Sequence, residues 1–239
     1  MSGHSKWSTI KRKKGAADAK RGVIFTRLSK DITLSAKQGG GNVDMNPSLR
    51  LAIKKAKSLN MPSAKIDRAI KKGTGELPGI RYEDFEYEGY GPESVAILIE
   101  VMTDNKNRTL PEIRSIMTKN GGNLGESGCV NWMFERKGIF TINTNDVEEN
   151  RLMEILENID IDDIVFDENF YELIIKPDDF EKINKLLNDK NINFDGEISL
   201  VPQNMIQLSD QNADKVIKLL ELLDEHDDVQ KVHSNFEVV

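Results

Sequence analysis

Cysteine is almost absent from this chain: Cys129 is the only one in 239 residues, which excludes an internal disulfide and any zinc site built on cysteines. Histidine is nearly as scarce, and His4, His226 and His233 are scattered, so no metal and no other cofactor is expected. No apolar run approaches the roughly 18 residues needed to cross a bilayer. The opening residues, Met1-Ser2-Gly3-His4-Ser5-Lys6-Trp7, have neither the apolar core of a secretory signal nor the Arg- and Ser-rich pattern of an organellar presequence. The expected address is the cytoplasm, without a membrane partner. Low-complexity segments are missing too. The glycine runs Gly39 to Gly41 and Gly121-Gly122 lack the lysine and spacing of a P-loop and read as helix ends, while Asp160, Asp162 and Asp163 lack the spacing of an EF-hand and read as surface charge.

What is present is an ordinary globular composition, 38% hydrophobic and 31% charged, in a chain long enough for two or three compact units. The net charge of −7 hides a sharp asymmetry. Residues 1 to 75 hold 18 Lys/Arg against four acids, Asp18, Asp31, Asp44 and Asp67, a formal +14, so the remainder carries −21. A sign reversal of this size within one chain implies that the two parts face different partners, the first of them polyanionic.

Along the chain, residues 1 to 17 read as a polar arm carrying Lys11-Arg12-Lys13-Lys14. From Asp18, a candidate N-cap, to about Gln38 the period is helical: Phe25, Leu28, Ile32 and Ala36 share one face, and Lys20, Arg27, Lys30 and Lys37 gather on the other. Asn46-Pro47 announces a second helix with Leu49, Ile53, Ala56 and Leu59 for burial and a stripe of Arg50, Lys54 and Lys57. A third, capped by Ser63, would bury Ile66, Ala69 and Ile70, leave Lys65, Arg68 and Lys72 outside, and stop at Gly73.

After a linker the period turns strand-like at Phe85 to Tyr87 and Ser94 to Thr103, the second expected to be central. Thr109-Leu110-Pro111-Glu112 has the form of a capping box opening a helix to about Asn120, and residues 129 to 134 are expected to return as a strand that buries Cys129. Segments 139–142, 148–158, 163–167, 171–175, 178–188 and 198–201 spell βαββαβ, the split βαβ of ferredoxin-like domains. A helix over 210–224 and a strand over 229–238 supply what the middle unit lacks. The expected fold is therefore α+β with three domains: a basic helical domain with its arm (1–77), a discontinuous α/β domain (78–134 plus 204–239), and a ferredoxin-like α/β domain (135–203) inserted into it.

Several of these residues carry a resemblance to a known family. Gly3-His4-Ser5-Lys6-Trp7, Ile10-Lys11, Arg21-Gly22 with Phe25, Asn46-Pro47-Ser48-Leu49-Arg50, Asn60-Met61-Pro62, Tyr87-Glu88-Gly89-Tyr90-Gly91-Pro92, Thr103 to Thr109 and Gly121-Gly122-Asn123-Leu124-Gly125 resemble the YebC/PmpR family. The match is strong through residue 134 and compatible in pattern beyond it. Two positions depart from it: Val23 stands where a lysine is expected, and Glu93-Ser94 where a pair of small residues, usually glycine, is expected. The resemblance implies one helical and two α/β domains, and a DNA-binding transcriptional regulator or a ribosome-acting translation factor rather than an enzyme.

The residues themselves place a nucleic-acid contact on Lys6, Trp7, Lys11, Arg12, Lys13, Lys14, Lys20, Arg21, Arg27, Lys30, Arg50, Lys54 and Lys57, which would neutralise phosphates and release counterions. Trp7 would either stack on an unpaired base or tuck onto its own domain. DNA and ribosomal RNA both remain open as targets, and the ribosome as a partner, because lysine-rich stripes suit backbone contact more than base readout. Two other classes compete. A protein-interaction or ligand-sensing module would use the acidic α/β domains, and an enzyme would need a pocket of paired titratable groups that no motif announces. The segment Asp104 to Thr109 reads first as a turn whose Asn and Thr cap backbone groups, and second as an RNA or partner contact. Oligomeric state is not encoded in any pattern here.

Overall fold

A computed structural model describes residues 21–77, 82–157 and 159–239, with side chains from residue 24 onward. Its first part is helical: α1 (Arg21–Gly39), α2 (Pro47–Ser58) and α3 (Ser63–Gly73). The expected apolar faces meet in one core, with Leu28, Ile32 and Ala36 of α1 against Leu49, Ile53 and Ala56 of α2 and Ile66 and Ala69 of α3. Phe25 is only half-buried, and Leu59, beyond the last turn of α2, is exposed instead of buried.

Asn46 does more than cap α2. Its Oδ1 accepts from the Leu49 N–H at 3.0 Å, while its Nδ2 donates to the Ser35 and Gly40 carbonyls at 2.8 and 2.9 Å, so one side chain closes α1 and opens α2. Ser63 does not cap α3 as expected: Pro62 holds the cap position, and its carbonyl accepts from Lys65 and Ile66, closing the first turn without a side chain. Gly73 sits where α3 crosses α1, and a Cβ there would press on the Thr33 carbonyl and lie 2.7 Å from the Ala36 Cβ. Asp18 and the N-terminal arm lie outside the described residues.

Next in chain order come β1 (Glu83–Tyr90), β2 (Ala96–Thr103), α4 (Lys106–Lys119), β3 (Asn123–Leu124), β4 (Phe134–Asn143), α5 (Glu149–Leu156), β5 (Asp163–Phe166) and β6 (Phe170–Ile175). They are followed by α6 (Phe180–Asp189), β7 (Phe194–Pro202), β8 (Ile206–Leu208), α7 (Asp210–Asp224), β9 (Val229–Ser234) and β10 (Phe236–Val238). The first sheet has the order β3-β1-β2-β9 and is antiparallel throughout, with β2 internal as its unbroken apolar run predicts. On one face Ile97, Ile99 and Val101 pack against Ile113 and Met117 of α4 and Val216, Leu219, Leu220 and Leu223 of α7. On the other, Ala96 and Leu98 meet Val130 and Phe134.

The second sheet, β5-β6-β4-β7, is also antiparallel and has the βαββαβ connectivity read from the sequence. Its core stacks Phe140 on Phe180, ring centroids 4.7 Å apart, over Leu152, Leu173, Ile183 and Leu187. The strands that leave and re-enter the first unit, β4 and β7, pair with each other from Phe134↔Pro202 to Ile142↔Phe194. The architecture is thus α+β: a helical unit and two α/β units, the second laid into the first.

Two local expectations fail for identifiable reasons. Helix α4 starts at Lys106 under Asn105, whose side chain accepts from the Arg108 N–H at 3.2 Å, and not at the Thr109 box. The Thr109 hydroxyl is committed elsewhere, to Thr103 and Asp228, and Glu112 reaches His226 instead of folding back. Residues 129 to 133 do not form the expected strand either, and only Phe134 is extended, as the first residue of β4. Glu88 takes the N–H groups of Gly128, Val130 and Asn131 at 2.6, 2.7 and 2.7 Å, donors that a strand would give to its neighbour, and a 3-10 turn over Asn131–Met133 follows. Cys129 ends half-buried.

Candidate nucleic-acid interface

Two cations of helix α1, Lys30 and Arg27, turn inward. Lys30 is 4% exposed, and its ammonium donates to the Met102 carbonyl at 3.0 Å, the Asp227 carbonyl at 2.7 Å and the Asp228 carboxylate at 2.9 Å. Arg27 pairs with Asp224 at 3.2 Å, both side chains largely covered. These two residues, predicted to contact phosphates, instead dock the helical unit onto the end of β2 and the α7–β9 turn. A buried ammonium with three internal acceptors has nothing left to offer a phosphate.

Asp228 is the hub of that seam. It also accepts from Arg108 Nη2 and Thr109 Oγ1, both at 2.7 Å, and from Thr103 Oγ1 at 3.1 Å. Burial pushes its carboxyl upward, but the donated hydrogen bonds of Thr109, Arg108 and Lys30, with the charge of Lys30, outweigh burial and hold it far below the usual carboxylate range. The segment Asp104 to Thr109 is therefore a positioning network: Asn105 caps, while Thr103, Arg108 and Thr109 hold the carboxylate that receives Lys30.

Helix α2 leans the other way. Leu51 packs against the core of the second sheet, the Lys54 ammonium sits 5.0 Å over the Phe194 ring, and Lys55 and Lys231 bracket Glu197 at 3.7 and 3.0 Å. Arg50 is exposed while its guanidinium donates to the Val43 and Asp44 carbonyls, and Lys57 is exposed. Of the remaining sequence-predicted contacts, Lys6, Trp7, Lys11, Arg12, Lys13, Lys14 and Lys20 lie outside the described residues. Arg21 begins α1 as described.

The structure brings forward a set that was not singled out from sequence. Between α1 and α3 opens a cleft of about 380 Å³ lined by Phe25, Thr26, Ser29, Lys30, Thr33, Lys65, Arg68, Ala69, Lys72 and Tyr82. Its wall contains four cations and no carboxylate. Lys65 lies 5.1 Å over the Phe25 ring and Lys30 lies 5.6 Å from the Tyr82 ring centre. Arg68 and Lys72 form no ion pair among the described residues. The signal was there in the spacing: Lys65, Arg68 and Lys72 fall at i, i+3 and i+7 on one side of α3.

Among the described residues, no group of three or more His, Cys, Asp and Glu is placed to hold a metal ion, and no helix is long and apolar enough to cross a membrane. Fold and surface together define a three-part α+β protein with a cationic helical head and an acidic two-sheet body. Residues 5–76 match the model of the TACO1/YebC protein N-terminal domain, and residues 82–236 that of the TACO1/YebC second and third domain. The chain belongs to the TACO1/YebC family.

A protein of Halothermothrix orenii named "Probable transcriptional regulatory protein" is 51% identical over 242 residues, spanning 100% of this chain and 96% of that one. A similarly named protein of Geobacter sulfurreducens is 50% identical over 239 residues, with the same two coverages. Among solved structures, a conserved hypothetical protein from Aquifex aeolicus superimposes with a TM-score of 0.86 at 41% identity, covering 93% of this chain and 92% of that one.

Proposed function

We propose that this protein is a regulator of gene expression that binds nucleic acid through its helical unit, as a DNA-binding transcriptional regulator acting in the cytoplasm and not as an enzyme. The observation that carries this is the wall of Lys65, Arg68 and Lys72 on α3, exposed or half-exposed cations with no carboxylate among the groups lining the cleft beside them. Solvated surfaces normally interleave both signs, whereas a surface of one sign attracts a polyanion. In this proposal the chain is divided at 1–77, 78–134 plus 204–239, and 135–203. The contact uses the arm residues Lys6, Trp7 and Lys11 to Lys14, with Lys20, Arg21, Arg50, Lys54 and Lys57, joined by the α3 cations. Arg27 and Lys30 leave the set because the seam consumes them. The transcriptional names of the relatives support the choice of DNA.

One observation favours RNA, on the ribosome or free, as the second target. α1 and α2 are partly covered by the two sheets, and α3 offers three lysines and one arginine but no Asn or Gln to read base edges in a major groove. The test is binding of the full chain to duplex DNA, structured RNA and ribosomes at two salt concentrations, beside a variant with Lys11, Arg12, Lys13 and Lys14 changed to alanine. Binding whose salt slope flattens by roughly 0.7 to 0.9 per lost phosphate contact supports the proposal. The preferred target separates transcription from translation. Failure to bind any of the three at low salt overturns it.

A further inference from the structure

The cleft between α1 and α3 differs from the rest of the basic surface in being concave and partly aromatic. A duplex offers phosphates on a convex cylinder and keeps its bases stacked inside, so it can lie across such a cleft without entering it. An unpaired nucleotide has a flat π-face and a phosphate a few ångströms away, and the cleft has matching parts. Tyr82 and Phe25 supply aromatic wall, Ser29 and Thr33 supply hydroxyls, and Arg68 and Lys72 supply cationic groups without an ion-pair partner among the described residues. The volume of about 380 Å³ falls within the range of small-ligand pockets. Lys30, at the same wall, is already neutralised by Asp228, and Lys65 already covers Phe25. The free phosphate-binding capacity therefore falls to Arg68 and Lys72, and of the two rings Tyr82, whose neighbouring cation Lys30 lies farther off at 5.6 Å and is held by Asp228, is the one to receive a base.

We propose that this cleft is a pocket for one unpaired nucleotide, its base against Tyr82 and its phosphate held by Arg68 and Lys72. The proposal rests on the nucleic-acid-binding function above and specifies what that surface selects: single-stranded segments or flipped-out residues in preference to continuous duplex. A free nucleotide has the same chemistry, so both sources are tested.

The experiment is fluorescence anisotropy of the full chain with a mixed-sequence single strand of about a dozen nucleotides as RNA and as DNA, with the corresponding duplexes, and with nucleoside monophosphates as competitors. It is run on the parent protein and on Tyr82→Leu, Tyr82→Trp and Arg68→Ala/Lys72→Ala, with thermal midpoints confirming that each variant is folded. The parent should prefer the single strand. Tyr82→Leu, which keeps an apolar side chain but loses the stacking face, should weaken single-strand binding about 5- to 150-fold, leave duplex binding unchanged and be rescued by Tyr82→Trp. Arg68→Ala/Lys72→Ala should lower the single-strand salt slope by roughly 1.4.

Displacement of the strand by monophosphates at micromolar concentration assigns the pocket to a free nucleotide, whereas displacement only at millimolar concentration assigns it to a nucleotide within a strand. Single-strand affinity unmoved in Tyr82→Leu, with duplex and single strand bound alike by the parent, overturns the pocket and leaves the wider function standing. No binding of any nucleic acid by the parent overturns the function and the pocket with it.

Discussion

Lys30→Met is the most informative single change. The substitution keeps an unbranched side chain of similar length in α1 and removes only the ammonium, which donates to Met102 O, Asp227 O and Asp228 Oδ1. Breaking a buried ion pair by deleting one partner typically costs about 3–5 kcal/mol. Here Asp228 keeps Arg108, Thr109 and Thr103 as donors, so its carboxylate is not abandoned and the lower end applies, about 3 kcal/mol. For a chain of this size that corresponds to a fall of roughly 6–12 °C in melting temperature.

The assay is thermal and urea unfolding followed by circular dichroism, with Asp228→Asn and the double variant completing a cycle. The coupling should be about 1–3 kcal/mol, since the two residues share one contact. pH sharpens the test. A carboxyl held low in the folded state contributes stability that is fully present above its unfolded value of about 4 and is lost as the pH falls below that toward the depressed folded value. The gap between parent and variant should therefore be flat from neutrality to about pH 4 and close below it. A Lys30→Met protein melting within about 1 °C of the parent, or strict additivity with Asp228→Asn, would refute the account of the seam.

Other predictions concern single positions. Ser94, at φ 62°, follows Glu93 at φ 58°, both in the left-handed region where glycine is at ease, and the Ser94 side chain is exposed. Ser94→Gly should raise stability by up to about 1 kcal/mol in urea unfolding, the relief of strain exceeding the added freedom of the unfolded chain; a loss would show that the turn is not strained. Gly73→Ala should cost about 1–3 kcal/mol because its methyl drives into the Thr33 carbonyl at the α1–α3 crossing, and an unchanged urea midpoint would contradict that contact. Burial pushes Glu88 upward, but its three backbone donors hold its carboxyl below the ordinary value. Glu88→Gln, with one acceptor oxygen in place of two, should therefore raise hydrogen exchange across residues 125–132 at neutral pH, and the parent should match it only well below pH 4. Unchanged exchange in that variant would remove Glu88 from the role of loop anchor.

Much of the fold was legible because it rests on periodicity. The 3.6-residue spacing of Leu28, Ile32 and Ala36, the unbroken run of β2 and the order of elements from 139 to 201 are consequences of which faces must be buried, and faces are written locally. What escaped was written between distant residues. A helical wheel shows that Lys30 is opposite Ile32's face, but not that a carboxylate 198 positions later will receive it. Thr109 and Glu112 have the local form of a capping box, yet the hydroxyl lies against Thr103, Asp228 and the Asn105 carbonyl, and Glu112 reaches His226. Val130, Trp132 and Phe134 alternate as a strand would, but Glu88 captures the Gly128, Val130 and Asn131 N–H groups, a turn over Asn131–Met133 leaves Trp132 65% exposed, and the strand starts only at Phe134. The α3 cations were seen as an outer face; only the approach of α1 and Tyr82 makes them one wall of a cleft. Glu93-Ser94 stood out as an unusual pair before the turn geometry supplied the reason.

The placement of β9 has a consequence during synthesis. Strand β2 finishes at Thr103, but its neighbour β9 begins at Val229, with the whole second sheet made in between. At translation rates of about 5–20 residues per second, the β2 edge waits roughly 6–25 s for its partner. Through that interval Lys30 has no Asp228 to receive it, and the apolar face of β2 has no α7 to cover it. The nascent chain therefore passes through a stage at which one α/β unit can be complete and the other lacks its last strand and helix, and it is there that an unpaired edge is most open to chaperones or to misassembly.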